Sequence, residues 1–200
     1  MTEGRRAEQE LDRLADEQAA LRRVATLVAR RAGPEQVFRA VAEAVGGLFG
    51  PCGLIKFEPD DQVIVMGAQT SPHSVGERLT LDPGYVVDRV KKTGHAARFD
   101  TDDPEDPDNP PVVRELGIRS GLASPVVVEG ELWGAITVGS FDRPLPAETE
   151  QRLAAFTDLL ATAVSDAQAR ADLRRLADEQ AALNRLAASG CIAHRTFASP

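Results

Sequence analysis

The spacing of apolar residues changes along the chain, and each change marks a predicted element. Residues 6–32 contain no Gly or Pro, and their apolar positions recur at alternating intervals of three and four, which is typical of a coiled-coil helix. We expect this helix to end at Gly33-Pro34 and a second helix, with one apolar side, to begin at Pro34. The predicted seam of the first helix consists of Leu11, Leu14, Gln18, Leu21, Ala25, Val28 and Ala32.

Two hairpins follow in the middle of the chain. The segments 52–59 and 62–69 are short and β-branched, with Pro59-Asp60-Asp61 between them, which predicts the first hairpin. The segments 118–130 and 131–140 form the clearer one, turning at Glu129-Gly130. Between them we predict, in chain order, a loop with one short strand (71–84), a helix ending at Gly94, a strand (95–100), an acidic loop (100–111) and a helical turn (112–117). From Pro146 to residue 189 the pattern is helical.

This order of elements predicts an α+β domain. We expect an antiparallel sheet of about five to six strands with helices gathered on one face, and long N- and C-terminal helices that continue as coiled coils. We place the N-terminal coiled-coil helix at 1–33, the domain at 34–165, a C-terminal helix at 166–189 and a diverged or disordered tail at 190–200.

The same nine residues, RLADEQAAL, occur at 13–21 and at 175–183. Gln18 and Gln180 therefore hold the same seam position, where a single polar residue selects helix register and number. We predict a parallel homodimer, because the seam is longer than the domain itself requires. The alternative is that the first helix packs only on its own domain. The second copy adds Leu173, Leu176, Gln180 and Leu183 to the predicted seam.

Composition narrows the function classes. The chain is 42% hydrophobic with a net charge of −8, which suits a folded domain but not a nucleic-acid-binding surface. Its two cysteines, Cys52 and Cys191, are far apart, so no disulfide framework or metal site is expected. No signal peptide or apolar run of membrane-helix length is present. We therefore predict a cytoplasmic chain without nucleic-acid or membrane partners.

Three segments together resemble the GAF domain family of small-molecule-sensing modules. They are LGIRSGLASPVVVEGELWGAITVGS (116–140), GYVVDRVKKTGHAARFD (84–100) and AETEQRLAAFTDLLATAVSDAQAR (147–170), and the resemblance covers about 34–168. The repeated helical phrase is similar to helices that link sensory domains in actinobacterial-type sensor histidine kinases. The resemblance implies a domain that binds a ligand or partner between its sheet and its loop-bearing face. It also implies dimerisation through terminal helices and a signal passed to an effector domain or kinase.

The family geometry implies a set of pocket-lining candidates. The helix at 84–93, the loop before it and the inward face of the late strands would line the site. For Tyr85 and Trp133, packing in the core is the competing interpretation. The candidates are Tyr85, His95, Ser120, Ser124 and Trp133.

The sequence gives little support for a bound cofactor or for catalysis. The segment before the late strands lacks the His that a haem-binding member would need, and no Cys lies mid-domain for a bilin. We therefore predict neither cofactor, and no metal, because the acidic loop has prolines where calcium loops need glycine. No catalytic set appears, so a non-enzyme is expected. The open alternatives are a purely structural dimerisation domain with a self-filled pocket and an enzyme of the sulfoxide reductase type. The latter would need well-placed cysteines.

Overall fold

The protein is described from a computed structural model that covers residues 3–195, with side chains at 5, 8 and 10–185. The chain divides into two units, Met1–Val164 and Ser165–Pro200. The helices are α1 (Glu3–Ala29), α2 (Pro34–Phe49), α3 (Val86–Thr93), α4 (Pro111–Leu116) and α5 (Thr149–Arg195). The strands are β1 (Cys52–Phe57), β2 (Gln62–Gln69), β3 (Arg78–Thr80), β4 (Ala97–Asp100), β5 (Ser120–Val128) and β6 (Glu131–Ser140).

The six strands form one antiparallel sheet in the order β3-β2-β1-β6-β5-β4. The predicted α+β class and the strand count are confirmed. The β5–β6 hairpin turns at Glu129 and Gly130, whose φ angles are 53° and 87°. Both residues are left-handed, as the twist of a two-residue hairpin requires.

Helix α1 ends earlier than the Gly33-Pro34 signal predicts. Arg31 adopts a left-handed φ of 55°, and the N–H groups of Ala32 and Arg31 donate to the carbonyls of Leu27 (3.0 Å) and Val28 (2.9 Å). These two bonds satisfy the last carbonyls of the helix in the Schellman pattern. An arginine, which no composition rule marks as a helix stop, therefore ends α1 at Ala29.

Two apolar clusters lie on opposite faces of the sheet, because neighbouring side chains of a strand alternate. Leu54 belongs to the first cluster, with α1, α2 and the part of α5 up to Val164. Ile55 belongs to the second, with α3. The expected placement of helices on one face thus holds for α1, α2 and the start of α5. Helix α3 packs on the other face, because its buried Val86, Val87 and Val90 need an apolar surface of their own.

The most deeply buried residues of helix α1 lie outside the predicted seam. Ala20 and Val24 are 2% and 1% exposed. One turn earlier, Glu17 Oε2 accepts a hydrogen bond of 2.6 Å from Arg152 Nε, and both side chains are 12% exposed. The guanidinium also lies 4.7 Å from the ring centre of Phe49. This face joins α1 to α2 and to the first turn of α5.

The predicted seam is only partly used within the chain. Leu21, Val28 and Ala32 pack against the first cluster, whereas Leu11 and Leu14 are 68% and 49% exposed; Gln18 and Ala25 are exposed as well. In the second copy Leu173, Leu176 and Leu183 are exposed, as is Gln180. The backbone stays helical past Gly190 to Arg195, and residues 196–200 of the predicted tail lie outside the described residues.

Candidate functional site

A cavity of about 430 Å³ opens on the α3 side of the sheet. Its floor is the sheet face formed by Ile55, Val63 and Val65, and its other walls are β3 with the loops around it and α4. This volume lies within the roughly 300–1,000 Å³ typical of small-molecule sites. The remaining apolar lining comes chiefly from Leu79, Leu81, Val87, Val112, Leu116, Ile118, Val138 and Phe141.

Tyr85 is an aromatic residue that lines this mainly apolar cavity. It is the N-cap residue of α3, and its ring meets that of Phe99 edge-on at 6.3 Å. A Cβ added at Gly121 would lie 3.0 Å from Tyr85 Oη, so the glycine permits the close approach of the hydroxyl group to β5. Burial, assisted by the charge of Asp82, raises the pKa of Tyr85 to about 12. The phenol is therefore neutral at physiological pH.

The ionisable side chains at the cavity are two carboxylates and a histidine that lies beside a carboxylate. Asp82 and Glu115 line the cavity together with His73. Asp82 Oδ2 accepts a hydrogen bond of 3.1 Å from the Val112 N–H and so joins the β3 loop to α4. His73 Nδ1 lies 3.6 Å from a carboxylate oxygen of Glu77. Among the described residues the lining includes no Lys or Arg, so the cavity offers an anion no lysine or arginine partner.

The five predicted lining residues do not meet in one place. Tyr85 lines the cavity. His95 and Ser124 lie instead at a second depression beside the start of α5. Trp133 packs against Phe38, with ring centres 5.7 Å apart, in the first cluster. Their proposed role in ligand binding is not tested by this placement and stays a prediction.

Ser120, the fifth candidate, joins the sheet to the segment that precedes α5. Its Oγ donates to Asp100 Oδ1 at 2.5 Å and accepts from the Leu145 N–H at 2.9 Å. Arg98 completes the junction: its Nε donates to Asp100 Oδ2 at 2.7 Å, and its Nη atoms donate to the carbonyls of Leu145 and Pro146. We call these residues the Ser120 junction. Ser120 is two positions after Ile118 in the chain, and Ile118 lines the cavity.

Sequence reasoning missed most of the cavity wall. His73 and Asp82 lie in a segment predicted as loop, and Glu115 in a segment predicted as a single helical turn. Asp82 meets α4 across 30 residues of chain, and no local pattern reports such a contact. The acidic loop 100–109 contributes none of the cavity's lining residues.

The side chains present bear on whether the domain could hold a bilin or a metal ion. Cys52 borders the cavity, but its side chain belongs to the first cluster. Burial raises the pKa of its thiol to about 12, so it is a poor nucleophile for covalent attachment of a bilin. Among the described side chains, no three His, Cys, Asp or Glu groups meet in an arrangement able to hold a metal ion.

The comparison with protein families decides the identity of the domain. The family model described as "GAF domain" matches residues 33–164, more than half of the chain. The chain belongs to the GAF domain family. No curated protein matches the sequence. GAF domains are generally small-molecule-binding sensory modules, and this GAF domain contains both the cavity and the Ser120 junction.

Solved structures resemble this GAF domain closely enough to confirm the fold. A phycocyanobilin-bound GAF domain from a cyanobacterial phytochrome has a TM-score of 0.63 at 20% identity, covering 77% of this chain and 96% of that one. The GAF domain of a phosphoenolpyruvate-protein phosphotransferase from Coxiella burnetii has a TM-score of 0.61 at 22% identity, covering 79% and 96%. Free methionine-R-sulfoxide reductase from Neisseria meningitidis, in complex with its substrate, has a TM-score of 0.63 at 16% identity, covering 77% and 91%.

At identities this low, the structural similarity establishes the fold alone. It does not transfer the bilin, the phosphotransferase or the reductase activity to this chain. In the described part of the protein, no helix combines the length and the apolar character needed to cross a membrane.

Proposed function

We propose that this GAF domain is a non-catalytic sensor. It binds a small molecule in the cavity and passes the change through the Ser120 junction to α5. The output is received by an effector such as a histidine kinase. The observation that carries this proposal is the cavity of about 430 Å³, lined mainly by apolar side chains together with Tyr85.

The cavity favours this function over a purely structural domain. In the structural alternative the site would be filled by the protein's own side chains. Here the largest aromatic candidate, Trp133, packs on the opposite side of the sheet, and space remains beside Tyr85. An apolar cavity with a few polar groups is the usual form of a small-molecule site.

The charges of the lining define a ligand class. Asp82 and Glu115 repel anions, and the described lining has no Lys or Arg to offset that repulsion. Burial of an unpaired anion there would carry a large desolvation cost. The proposed ligand is therefore apolar and neutral or cationic. Cyclic nucleotides, with their phosphate group, are poor candidates.

The Ser120 junction supplies a route from the cavity to α5. Ile118 lines the cavity and Gly121 contacts Tyr85 Oη, and both flank Ser120 on the same stretch of chain. Ser120 in turn holds the Leu145 N–H, four residues before α5 begins. Coupling requires that the ligand stabilise one arrangement of this junction more than another. Ser120→Ala should leave ligand affinity nearly unchanged but reduce the ligand's effect on hydrogen exchange in α5.

The seam residues supply the proposed dimer contact. Five of the eight large exposed apolar side chains in the described part of the chain belong to the predicted seam: Leu11, Leu14, Leu173, Leu176 and Leu183. Exposed apolar residues aligned on helices commonly mark protein interfaces. A parallel homodimer would cover them, with cytoplasmic location and no nucleic-acid or membrane partner as further parts of the proposal.

The reductase alternative is less well supported. Cysteine-based reduction of a sulfoxide needs an accessible thiolate. Cys52 is 2% exposed and its thiol pKa is raised, and the side chain of Cys191 lies outside the described residues. A sulfoxide reductase assay with free methionine sulfoxide and a thiol reductant tests this alternative. Turnover that is lost in Cys191→Ser would replace the sensor proposal with an enzyme.

Ligand binding can be tested with the whole chain. Purified protein is denatured and the released small molecules are identified by mass spectrometry. In parallel, thermal unfolding is followed with neutral, cationic and anionic aromatic compounds, the anions including cyclic nucleotides. A ligand of the folded state must raise the melting temperature. We expect stabilisation by neutral or cationic compounds and none by cyclic nucleotides.

A pair of matched variants locates the binding site. Val65 lines the cavity and is 2% exposed, whereas Val127 is 45% exposed and does not line it. Val65→Phe should fill the cavity and abolish the stabilisation, and Val127→Phe should retain it. Stabilisation that survives in Val65→Phe, or no stabilisation across the panel together with no released compound, would overturn the proposal.

The dimer needs its own experiment. Sedimentation is measured for the parent chain, for Gln18→Leu and for a variant lacking residues 1–24. The parent chain should form a dimer, and Gln18→Leu should strengthen that dimer or change the number of chains in it. The shortened variant should weaken the dimer. A parent chain that is monomeric at every concentration refutes the seam.

A further inference from the structure

The two copies of RLADEQAAL have different surroundings. In the first copy, Glu17 and Ala20 are covered by the chain's own core, with Glu17 12% and Ala20 2% exposed. In the second copy, Arg175 and Glu179 have side chains 65% and 58% exposed. The ion pairs recorded for Arg175 are with Asp172 and Glu179, both in the same helix. The same helix face is therefore covered in the first copy and exposed to solvent in the second.

The surface that covers the first copy has a defined charge pattern. Glu148 lies 3.6 Å from Arg13, and Arg152 lies 2.6 Å from Glu17. Phe49 lies beneath the Arg152 guanidinium at 4.7 Å. We call Phe49, Glu148 and Arg152 the α1 docking surface. It selects a helix with a basic residue, an acidic residue four positions later and an apolar continuation.

The second copy meets each of these requirements. Its Arg175, Glu179 and Ala182 repeat the residues that in the first copy are Arg13, Glu17 and Ala20, and Leu186 stands where the first copy has the buried Val24. The match ends there, because Ser189 and Gly190 replace Leu27 and Val28. The matching face thus spans 175–186.

We propose that residues 175–186 of one copy of this chain bind to the α1 docking surface of a second copy, in the place of residues 13–24. Within the chain Arg152 pairs with Glu17 and Glu179 pairs with Arg175, so the proposed pairing of Arg152 with Glu179 is between two copies. The contact joins unlike surfaces and is distinct from the like-with-like seam. It does not depend on whether the cavity binds a ligand.

Competition with the attached α1 sets when this contact forms. A helix on the same chain is present at an effective concentration in the millimolar range, so it outcompetes the same sequence on another chain. The exchange should therefore increase with protein concentration and whenever α1 is weakened. The exposed seam leucines lie at different helical positions and remain available for the parallel dimer; they are Leu11, Leu14, Leu173, Leu176 and Leu183.

A charge exchange between full-length chains tests the contact. Arg152→Glu repels the chain's own Glu17 and so weakens α1 at its docking surface. Glu179→Arg makes the second copy complementary to that changed surface. Labelled Arg152→Glu chain should bind Glu179→Arg chain at least about tenfold more tightly than it binds the wild-type chain, as expected for a close ion pair. Neither substitution replaces a residue of the predicted seam.

A double variant supplies the matched control. Glu17→Arg with Arg152→Glu restores the pair within one chain, so the attached α1 competes again. This double variant should bind the Glu179→Arg chain more weakly than Arg152→Glu alone does. If Arg152→Glu does not fold by circular dichroism, the milder Glu17→Gln chain replaces it. That chain should bind wild type more tightly than it binds Glu179→Gln. Equal affinities in these comparisons, or binding of Glu179→Arg that is as tight in the double variant as in Arg152→Glu, would overturn the proposed contact.

Discussion

Glu17 and Glu179 offer a test in which the same residue, in the same nine-residue context, has two environments. Glu17→Ala removes the carboxylate from Arg152, whose side chain is 12% exposed. Arg152 Nη1 has no hydrogen-bond partner among the described residues. Because Glu17→Ala removes the carboxylate, the variant leaves the guanidinium without its anion. Removing one partner of a buried pair costs about 3–5 kcal/mol, and the residual exposure here places the cost near 3 kcal/mol. For a chain of this size that loss lowers the melting temperature by about 6–12 °C.

Urea unfolding followed by Trp133 fluorescence measures this loss, because Trp133 is the one tryptophan and packs at the first cluster. Glu179→Ala is the matched control. Its side chain is 58% exposed and pairs within its own helix at 3.8 Å, so its loss should stay within about 0.5 kcal/mol. Replacing both partners, as in Glu17→Leu with Arg152→Met, should recover most of the lost stability. Similar losses for Glu17→Ala and Glu179→Ala would refute the reasoning.

Three further predictions concern titratable groups. Because the folded pKa of Tyr85 is raised from 10.0 to about 12, its contribution to stability is complete below pH 10 and declines toward pH 12. Wild type should lose about 2–3 kcal/mol relative to Tyr85→Phe over that range in urea unfolding. In a Cys191→Ser background, Cys52 should resist iodoacetamide until the chain unfolds, since burial raises its thiol pKa; rapid alkylation of the native chain would contradict its burial. Asp88 Oδ2 accepts from Lys92 Nζ and a backbone N–H, both at 2.7 Å, so Asp88→Asn should cost about 1–3 kcal/mol.

The pH dependence of the Asp88 variant follows from opposing causes. Burial acts to raise the pKa of this carboxyl, but the hydrogen bond from Lys92, the bond from the Gly84 N–H and the lysine charges outweigh it, so the pKa lies below its ordinary 3.8. The contribution is therefore present above pH 3.8 and is lost as pH falls through the lower folded value. The stability gap between wild type and Asp88→Asn should be constant near neutral pH and narrow in acid. A gap that widens below pH 3.8 would contradict this assignment.

Local signals in the sequence identified most elements of the fold. The β5–β6 hairpin and the stop of α3 each depend on a glycine, Gly130 and Gly94, with a left-handed φ of 87° and 70°. Alternation along strands and helical periodicity located the remaining elements to within a few residues. The end of α1 was missed because Arg31 adopts a left-handed conformation that its residue type does not favour.

The candidate site was harder to predict, because its walls meet through long-range contacts. The pairing of β1 with β6 brings Gly53 to Thr137, and the bond between Asp82 and Val112 brings α4 to the β3 loop. Neither contact has a local sequence pattern. Ser120 was predicted as a pocket-lining candidate, and the structure places it in a junction with Asp100 and Leu145. The repeated phrase shows the same limit, since identical residues are covered in one copy and exposed in the other.

The most direct test of the account is fluorine NMR of the chain labelled with fluorotyrosine, because Tyr85 is the one tyrosine and lines the cavity. The panel of neutral, cationic and anionic aromatic compounds is titrated into the wild-type chain and into Val65→Phe. The account predicts that at least one neutral or cationic compound shifts the Tyr85 resonance in the wild type but not in Val65→Phe, and that cyclic nucleotides shift neither. No shift with any compound, or a shift of equal size in Val65→Phe, would contradict the claim that this cavity is a ligand site.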